Sequence, residues 1–280
     1  FAENISKIMF LSLKVVEPNL VLPNKFMNPE VIQFNKGTQP QSPLFYIIGK
    51  GFIYPKHKEA IESIGGKIVD KIEQADWVVI LTPNYLHYQT ILYGLKKGKN
   101  VLCEKPLVLN SKHCEKLIKN QGTQKIFTIA QLRFHPILAE IPQKPYNEIE
   151  IFVNVHRDED YFKSWQGDPK KSGGILFNLG IHYLDLVIYL YGEPQKSGWT
   201  IMGPKENSGW FKGEKYNCHY TFSLKAEKDK QQRIFRINNI EYNLQEPENL
   251  HKYIYQDLLV GKGIKPIDVL PVIKLIEKLQ

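Results

Sequence analysis

Two groups of residues in this chain have the types and spacing for acid–base chemistry. Glu104-Lys105-Pro106 follows the short apolar run Asn100 to Cys103, so a carboxylate and an ammonium sit together at the end of a buried strand. A charged pair at a sheet end is costly unless it is solvated or meets a ligand. The turn is therefore either a ligand site or an exposed surface turn. Asn178, His182 and Asp185 are spaced i, i+4 and i+7 inside the apolar stretch Gly173 to Tyr191, which reads as a buried helix carrying all three on one face. Buried polar groups need partners, so this stripe is a structural network or a site. A histidine that titrates near neutrality is a natural general base, and a nearby ammonium eases charge developing on oxygen.

The elements that must position these groups read as an α/β pattern. Trp77 to Leu81 is a buried parallel strand, and Thr82-Pro83-Asn84 ends it where open α/β sheets bind ligands. Leu86 to Lys97 follows helical periodicity, with Gly98 as its stop. Upstream, Leu44 to Ile48 is a first strand, followed by Gly49-Lys50-Gly51-Phe52-Ile53-Tyr54. Two glycines at this spacing allow a pyrophosphate close to backbone N–H groups, but Tyr54 holds the third glycine position and the fingerprint is incomplete. Pro55 suits a helix first turn, Lys56 to Ile64 is that helix, and Gly65-Gly66 stops it. His57 on it reads as a surface or packing residue. Lys67 to Asp70 is a short second strand ending in an acid, about 20 residues after the glycines, as ribose recognition requires. Trp77 then opens the next strand almost at once, where a full dinucleotide-binding half would insert another helix, strand and helix.

Further on, Asn110 or Ser111 caps a helix to about Gln121, and Lys125 to Gln131 is another strand. Glu148 to His156 alternates apolar and polar residues, as an antiparallel strand with one wet face does. Asn238-Asn239 is a two-residue hairpin turn between Arg233–Ile237 and Ile240–Leu244. Leu250 to Val260 and Asp268 to Leu279 are amphipathic helices. The expectation is an α/β chain: a shortened Rossmann-like NAD(P)-binding domain over 44–145, then an α+β domain with a mainly antiparallel sheet over 146–280. Either the Rossmann-like half is truncated, or a segment is omitted from it, or residues 1–43 fill the gap from the other end; with a possible strand at Lys7 to Val16, those residues have no other assigned role.

Composition is that of a soluble globular protein, 42% hydrophobic and 24% charged. The net charge of +8 suits anionic ligands, and the lysines are scattered rather than clustered, which argues against nucleic acid. Cys103, Cys114 and Cys218 are too few and too spread for a disulfide framework or a zinc site, so no metal is expected and a reducing, cytoplasmic setting is. Ile8 to Val16 is too short to span a bilayer, and no membrane partner is expected. The chain begins at Phe1, as a fragment or a processed form would.

Thr82-Pro83-Asn84 with His87, Gly98-Lys99, and Cys103-Glu104-Lys105-Pro106-Leu107 resemble the glucose–fructose oxidoreductase/inositol dehydrogenase/rhizopine-catabolism (Gfo/Idh/MocA) family. Trp165, Gly167-Asp168, Lys171 to Asn178, and Gly180-Ile181-His182 with Asp185 resemble one branch of it, as do Gln131-Leu132-Arg133 and His135-Pro136. That branch oxidises UDP-N-acetyl-glucosaminuronic acid to its 3-keto form in surface-polysaccharide synthesis. The resemblance implies an NAD cofactor, with NADP open, a nucleotide-sugar substrate and a homo-oligomer. It implies a cofactor site of Gly49, Gly51, Phe52, Ile53, Thr82, Pro83, Asn84, His87, Glu104, Lys105 and Gln131, beside Asp70. His182 matches the family's catalytic histidine, Lys105 its catalytic lysine, and Asn178 stands where many relatives carry Asp. Oxidation of a secondary alcohol fits these types, with His182 as base and Lys105 as proton-sharing partner, or the reverse. Asn178 and Asp185 are expected to orient the imidazole. Arg133, Lys171 and Ser172, with Trp165, are expected to hold the sugar carboxylate or diphosphate. Two other readings stand beside this one: a dehydrogenase of another sugar or polyol, and a paralogue that binds a nucleotide sugar without turnover.

Overall fold

The structure is a computed structural model that describes residues 42–280, apart from 121, 143, 246 and 247. The strand expected at Lys7 to Val16 lies outside the described residues. The first layer contains β1 (Leu44–Ile48), α1 (Tyr54–Ser63), β2 (Lys67–Ile68), β3 (Trp77–Ile80), α2 (His87–Lys96), β4 (Asn100–Cys103), α3 (Ser111–Asn120) and β5 (Ile126–Thr128). These strands form a parallel sheet in the order β2-β1-β3-β4-β5. The apolar runs explain it: all of β3 is buried, as a strand covered on both faces must be. Helix α2 ends at Gly98, where φ is +70°. Before α3, Asn110 Oδ1 accepts the His113 N–H at 2.8 Å.

The shortening read from the sequence is visible at the sheet edge. Only Lys67 and Ile68 of β2 pair, with Leu44 and Phe45, so β2 stops well before the end of β1. The chain then turns through Ile72–Gln74 straight into β3, burying Ile72 and Ala75 on the way.

The second layer contains β6 (Asn147–Asn154), α4 (Glu159–Lys163), α5 (Pro169–Ser172), α6 (Ile181–Tyr191), β7 (Lys196–Met202), β8 (Glu206–Lys212), β9 (Tyr216–Ser223), β10 (Gln232–Ile237) and β11 (Ile240–Glu241). Its sheet runs β11-β10-β6-β9-β8-β7. It is mixed rather than simply antiparallel, because β6 and β9 run parallel through eight residue pairs. The cause is the helical crossover: α4 to α6 separate β6 from the β7–β9 meander, and a parallel neighbour needs such a connection. The β10–β11 hairpin turns at Asn238 and Asn239, both with positive φ, as the Asn-Asn pair requires.

The helix expected from Gly173 to Tyr191 is broken. Gly173 ends α5 at φ +82°, and a Cβ there would lie 2.5 Å from Leu109 and 2.8 Å from Phe177. A single π turn, Leu176–Gly180, then leads into α6. Pro169–Tyr191 is long and apolar enough to cross a bilayer, but 67% of its most apolar window is buried in the fold. That is how a core helix behaves, and Leu184, Leu186 and Val187 are fully buried.

The last two helices, α7 (His251–Leu259) and α8 (Pro266–Lys278), reach back to the first layer, which a contiguous 146–280 domain would not do. Helix α7 packs on α1, while α8 bridges the layers, packing on α3 and β5 of the first and on α6 and β7 of the second. Ile254, Tyr255 and Leu258 join Phe45, Trp77, Val79 and Phe127 in one apolar cluster. The C-terminal segment thus completes the first layer and presses it against the second.

Candidate active site

Lys105 and His182, 77 residues apart in sequence, line the same cavity. Thr128 and Leu132 flank Lys105 from the end of β5, Ile181 and Asp185 flank His182 on α6, and Ile273 of α8 supplies a third wall. The end of a parallel strand and the start of a buried helix therefore meet at the face where α/β sheets bind ligands. Lys105 is half-buried and its Nζ donates to the Asn178 carbonyl in the π turn at 3.1 Å.

No hydrogen bond engages the His182 ring among the described residues. Burial, and then the Lys105 charge, push its pKa well below the usual histidine value. Burial also lowers the Lys105 pKa, and Arg157 adds to that, against the pull of Glu104. The pair is thus a neutral imidazole beside an ammonium, the protonation state a base and an electrostatic partner need. Since Lys105 depresses His182, Lys105→Met is expected to move the His182 titration upward toward 6.5. An NMR titration of the His182 ring proton checks this; an unmoved midpoint would mean that the two groups do not sense each other.

Several expected contacts are rearranged. Asp185 does not orient His182: its carboxylate receives Arg133 Nε at 2.8 Å and Nη2 at 2.6 Å. The same Nη2 donates to the Asp268 carbonyl, and the guanidinium stacks over Tyr189. Arg133 is therefore held inside the protein, not free to clamp a substrate. Asn178 Nδ2 donates to the Tyr161 hydroxyl at 2.7 Å, not to the imidazole. Ser172 is buried, and its hydroxyl bonds the local backbone around Asp168 and Gly174. Asn84 donates to the Ser172 carbonyl, tying the two layers together. His87 is fully buried between the Thr82 and Pro106 carbonyls, stapling two loops rather than meeting a cofactor. Lys171 is half-exposed beside Asp168, and Trp165 is half-buried.

Glu104 is the largest departure. It is buried and bonded to His57 Nε2 at 2.9 Å and His251 Nε2 at 3.3 Å. Burial acts to raise its pKa, but the hydrogen bonds and charges of the two histidines hold it well below the carboxylate range. Neither histidine stands out by sequence motif. The one signal was that His57 shares a helix face with Ala60 and Ile61, which are buried.

The glycine loop packs its first glycine against the end of β3 and leaves its second open. Gly49 has φ +102°, and a Cβ there would lie 2.6 Å from the Leu81 carbonyl oxygen. Nothing crowds Gly51, and Phe52 is 83% exposed. Gly49→Ala is expected to cost about 1–3 kcal/mol, read from the denaturant midpoint, since both backbone conformation and packing oppose it. A wild-type midpoint would show that the loop is not held as described.

Residues 61–129 match the oxidoreductase family's NAD-binding Rossmann fold, and 146–232 match its C-terminal alpha/beta domain, together just over half of the chain. The chain belongs to the Gfo/Idh/MocA oxidoreductase family. Among its curated members, inositol 2-dehydrogenase of Rhizobium meliloti is 30% identical over 157 residues, 50% of this chain and 46% of that protein. The scyllo-inositol 2-dehydrogenase (NADP(+)) of Bacillus subtilis is 24% identical over 140 residues, 47% of this chain and 39% of that protein. The alignments thus span less than half the length of these curated relatives. The WlbA (WbpB) dehydrogenase of Thermus thermophilus, solved with NAD and UDP-GlcNAcA, superposes with a TM-score of 0.75 at 24% identity, covering 84% of this chain and 93% of that one. That likeness shows a shared Gfo/Idh/MocA fold.

The family's cofactor can be tested against this chain's own atoms. Thr82 Oγ1 and Gln131 Oε1 are buried polar atoms with no partner, and both follow the carboxyl ends of parallel strands, β3 and β5. Orphaned groups of this kind call for a ligand. With the open Gly51 turn after β1 they fit the pyrophosphate and nicotinamide end of a dinucleotide. At the adenosine end, Asp70 is exposed beyond the two-residue β2.

Proposed function

We propose that this chain is an NAD(P)-dependent dehydrogenase of a sugar hydroxyl, with C3 of UDP-N-acetyl-glucosaminuronic acid as its substrate. The observation that carries the reading is the convergence of Lys105 and His182 on one cavity, with Thr82 and Gln131, after the ends of β3 and β5, left as buried polar atoms without a partner. The family's NAD-binding Rossmann domain and the WlbA dehydrogenase's complex with UDP-GlcNAcA support it.

In this mechanism Gly49, Gly51 and the Phe52-Ile53 backbone hold the pyrophosphate, and Thr82 and Gln131 hold the nicotinamide end. The nicotinamide, when bound, supplies the hydride acceptor. The neutral His182 imidazole takes the hydroxyl proton on a free ring nitrogen. The Lys105 ammonium stabilises charge on the same oxygen. Asn178 steadies Lys105 through its carbonyl. The shell of Leu132, Ile181 and Ile273 keeps water from the proton while it moves.

A second reading is favoured by Arg133. With its guanidinium locked to Asp185, the cavity lacks the bidentate clamp a sugar carboxylate would use, so an uncharged polyol fits as well. The inositol dehydrogenases among the relatives point the same way. Purified chain with NAD, given UDP-N-acetyl-glucosaminuronic acid in one assay and inositols in another, separates the two. Reduced nicotinamide and a 3-keto product by NMR only with the nucleotide sugar support the first; turnover of inositols alone supports the second. No turnover of either by cofactor-bound protein would leave a binding paralogue.

A further inference from the structure

Next to Lys105 in the chain, and outside the lining of the cavity, lies a closed set of hydrogen bonds that the reaction as described does not use. Glu104 Oε2 accepts the Lys105 backbone N–H at 2.9 Å. Its other oxygen, Oε1, lies between His57 Nε2 of α1 and His251 Nε2 at the start of α7. His57 Nδ1 bonds the Tyr255 hydroxyl at 2.8 Å. His57, His251 and Tyr255 are almost wholly buried.

The proton positions follow from the outer partners. Asn249 Nδ2 donates to the Lys56 carbonyl at 2.9 Å and to Glu59 at 3.1 Å, which fixes the amide's orientation. Its Oδ1 therefore faces His251, accepting the backbone N–H at 3.2 Å and meeting Nδ1 at 3.0 Å. An amide oxygen can only accept, so His251 Nδ1 carries a proton. A carboxylate oxygen also only accepts, so His251 Nε2 carries one as well. Burial lowers the His57 pKa, so His57 is neutral; its Nε2, facing the carboxylate, then carries the proton and its Nδ1 accepts from the Tyr255 hydroxyl. The burial that keeps the Tyr255 phenol protonated agrees with this.

We propose that His251 and His57 are positioning residues of this enzyme: a doubly protonated His251 and a neutral His57 pin Glu104 as a carboxylate, and Glu104 in turn fixes the backbone from which Lys105 reaches the cavity. The network also carries the placement of α7 into the site, because its two donors come from helices on either side of the EKP turn. The inference rests on Lys105 acting in the reaction, but the arrangement of protons does not. The three ligating atoms lie within 4.8 Å of one another, close enough for a divalent cation. The hydrogen bonds satisfy all three without one, so the network as proposed holds no metal.

The test uses the full chain with 15N-labelled histidine at neutral pH. His251 is expected to give two protonated ring nitrogens and His57 one, on Nε2, with assignments from single His→Gln variants. A single protonated nitrogen on His251, or stoichiometric zinc in metal-free buffer, overturns the arrangement. The second arm compares His251→Leu with His251→Gln, whose amide can still donate to Glu104. The Leu variant is expected to lose about tenfold in kcat with KM for NAD unchanged, and to shift the 13C signal of dimethylated Lys105; Gln is expected to restore most of both. Equal losses in both variants, tracking only melting temperature, overturn the positioning role. If the wild-type chain turns over no sugar, the nitrogen and Lys105 signals still decide the network, so failure of the proposed reaction is told apart.

Discussion

Lys105→Ala and His182→Ala are each expected to lower dehydrogenase kcat/KM by at least about a hundredfold while the chain stays folded. The reason lies in how little either side chain contributes to the rest of the structure. Lys105 makes one side-chain hydrogen bond, to a backbone carbonyl, and the His182 ring makes none among the described residues. A hydrogen bond from a charged donor of that kind is worth about 1.5–3 kcal/mol, a shift of only some degrees in a chain this size. A general base contributes about 10²–10⁴-fold to the rate, and electrostatic stabilisation of an oxyanion about 10²–10³-fold. Activity should therefore collapse while the chain stays folded. Near wild-type turnover by both variants would place the chemistry elsewhere. A folded state lost in His182→Ala would make that histidine structural, and His182→Gln, which keeps the volume, then reads the rate alone.

The second large effect concerns the cofactor. A dinucleotide held at both ends gains from an acidic side chain on its adenosine ribose, a charge-assisted bond worth about 1.5–3 kcal/mol, or roughly tenfold to a hundredfold in affinity. In this chain Asp70 lies past a two-residue strand, exposed, with no described strand beyond β2 in the sheet. Among the described residues its carboxylate has no hydrogen-bond partner to hold it in a ribose-binding pose. NAD is expected to bind weaker than a full-length fold would allow by that factor. NADP is expected to bind within about tenfold of it, and Asp70→Ala to change either affinity less than about twofold. Isothermal titration with both cofactors is the measurement. Tight, NAD-selective binding that Asp70→Ala destroys would show that the acid does reach the ribose.

Much of this architecture was legible because apolar periodicity and glycine stops are local properties. β1, β3 and β4 lie where short β-branched runs placed them, and Gly98 and Asn238-Asn239 turn the chain as their φ freedom demands. The Lys105–His182 pairing was legible from motif resemblance. What the sequence hid were choices among partners. Arg133 and Asp185 looked like two independent site groups, yet in a nearly dry interior a guanidinium and a carboxylate in reach of each other pair first. Glu104 looked like half of a cofactor motif, but two histidines 47 and 147 residues away in sequence compete for it. The break at Gly173-Gly174 was hidden because an apolar run has the same composition whether its helix is continuous or interrupted. The parallel β6–β9 pair depends on a crossover that no strand announces by itself.

The return of α7 to the first layer bears on how the protein is made. Trp77 and Phe127, stacked with centroids 5.6 Å apart, are covered by the apolar cluster that Ile254 and Tyr255 complete. Strand β5 ends at Thr128 and α7 begins at His251, so more than a hundred residues must be synthesised between the sheet and its cover. At about 5–20 residues per second, the nascent sheet waits roughly 6–25 s with an aromatic face open to solvent. That interval is the window in which a chaperone that binds exposed apolar surface would meet this chain, and ribosome-bound intermediates stalled before residue 251 are where such a contact should be found.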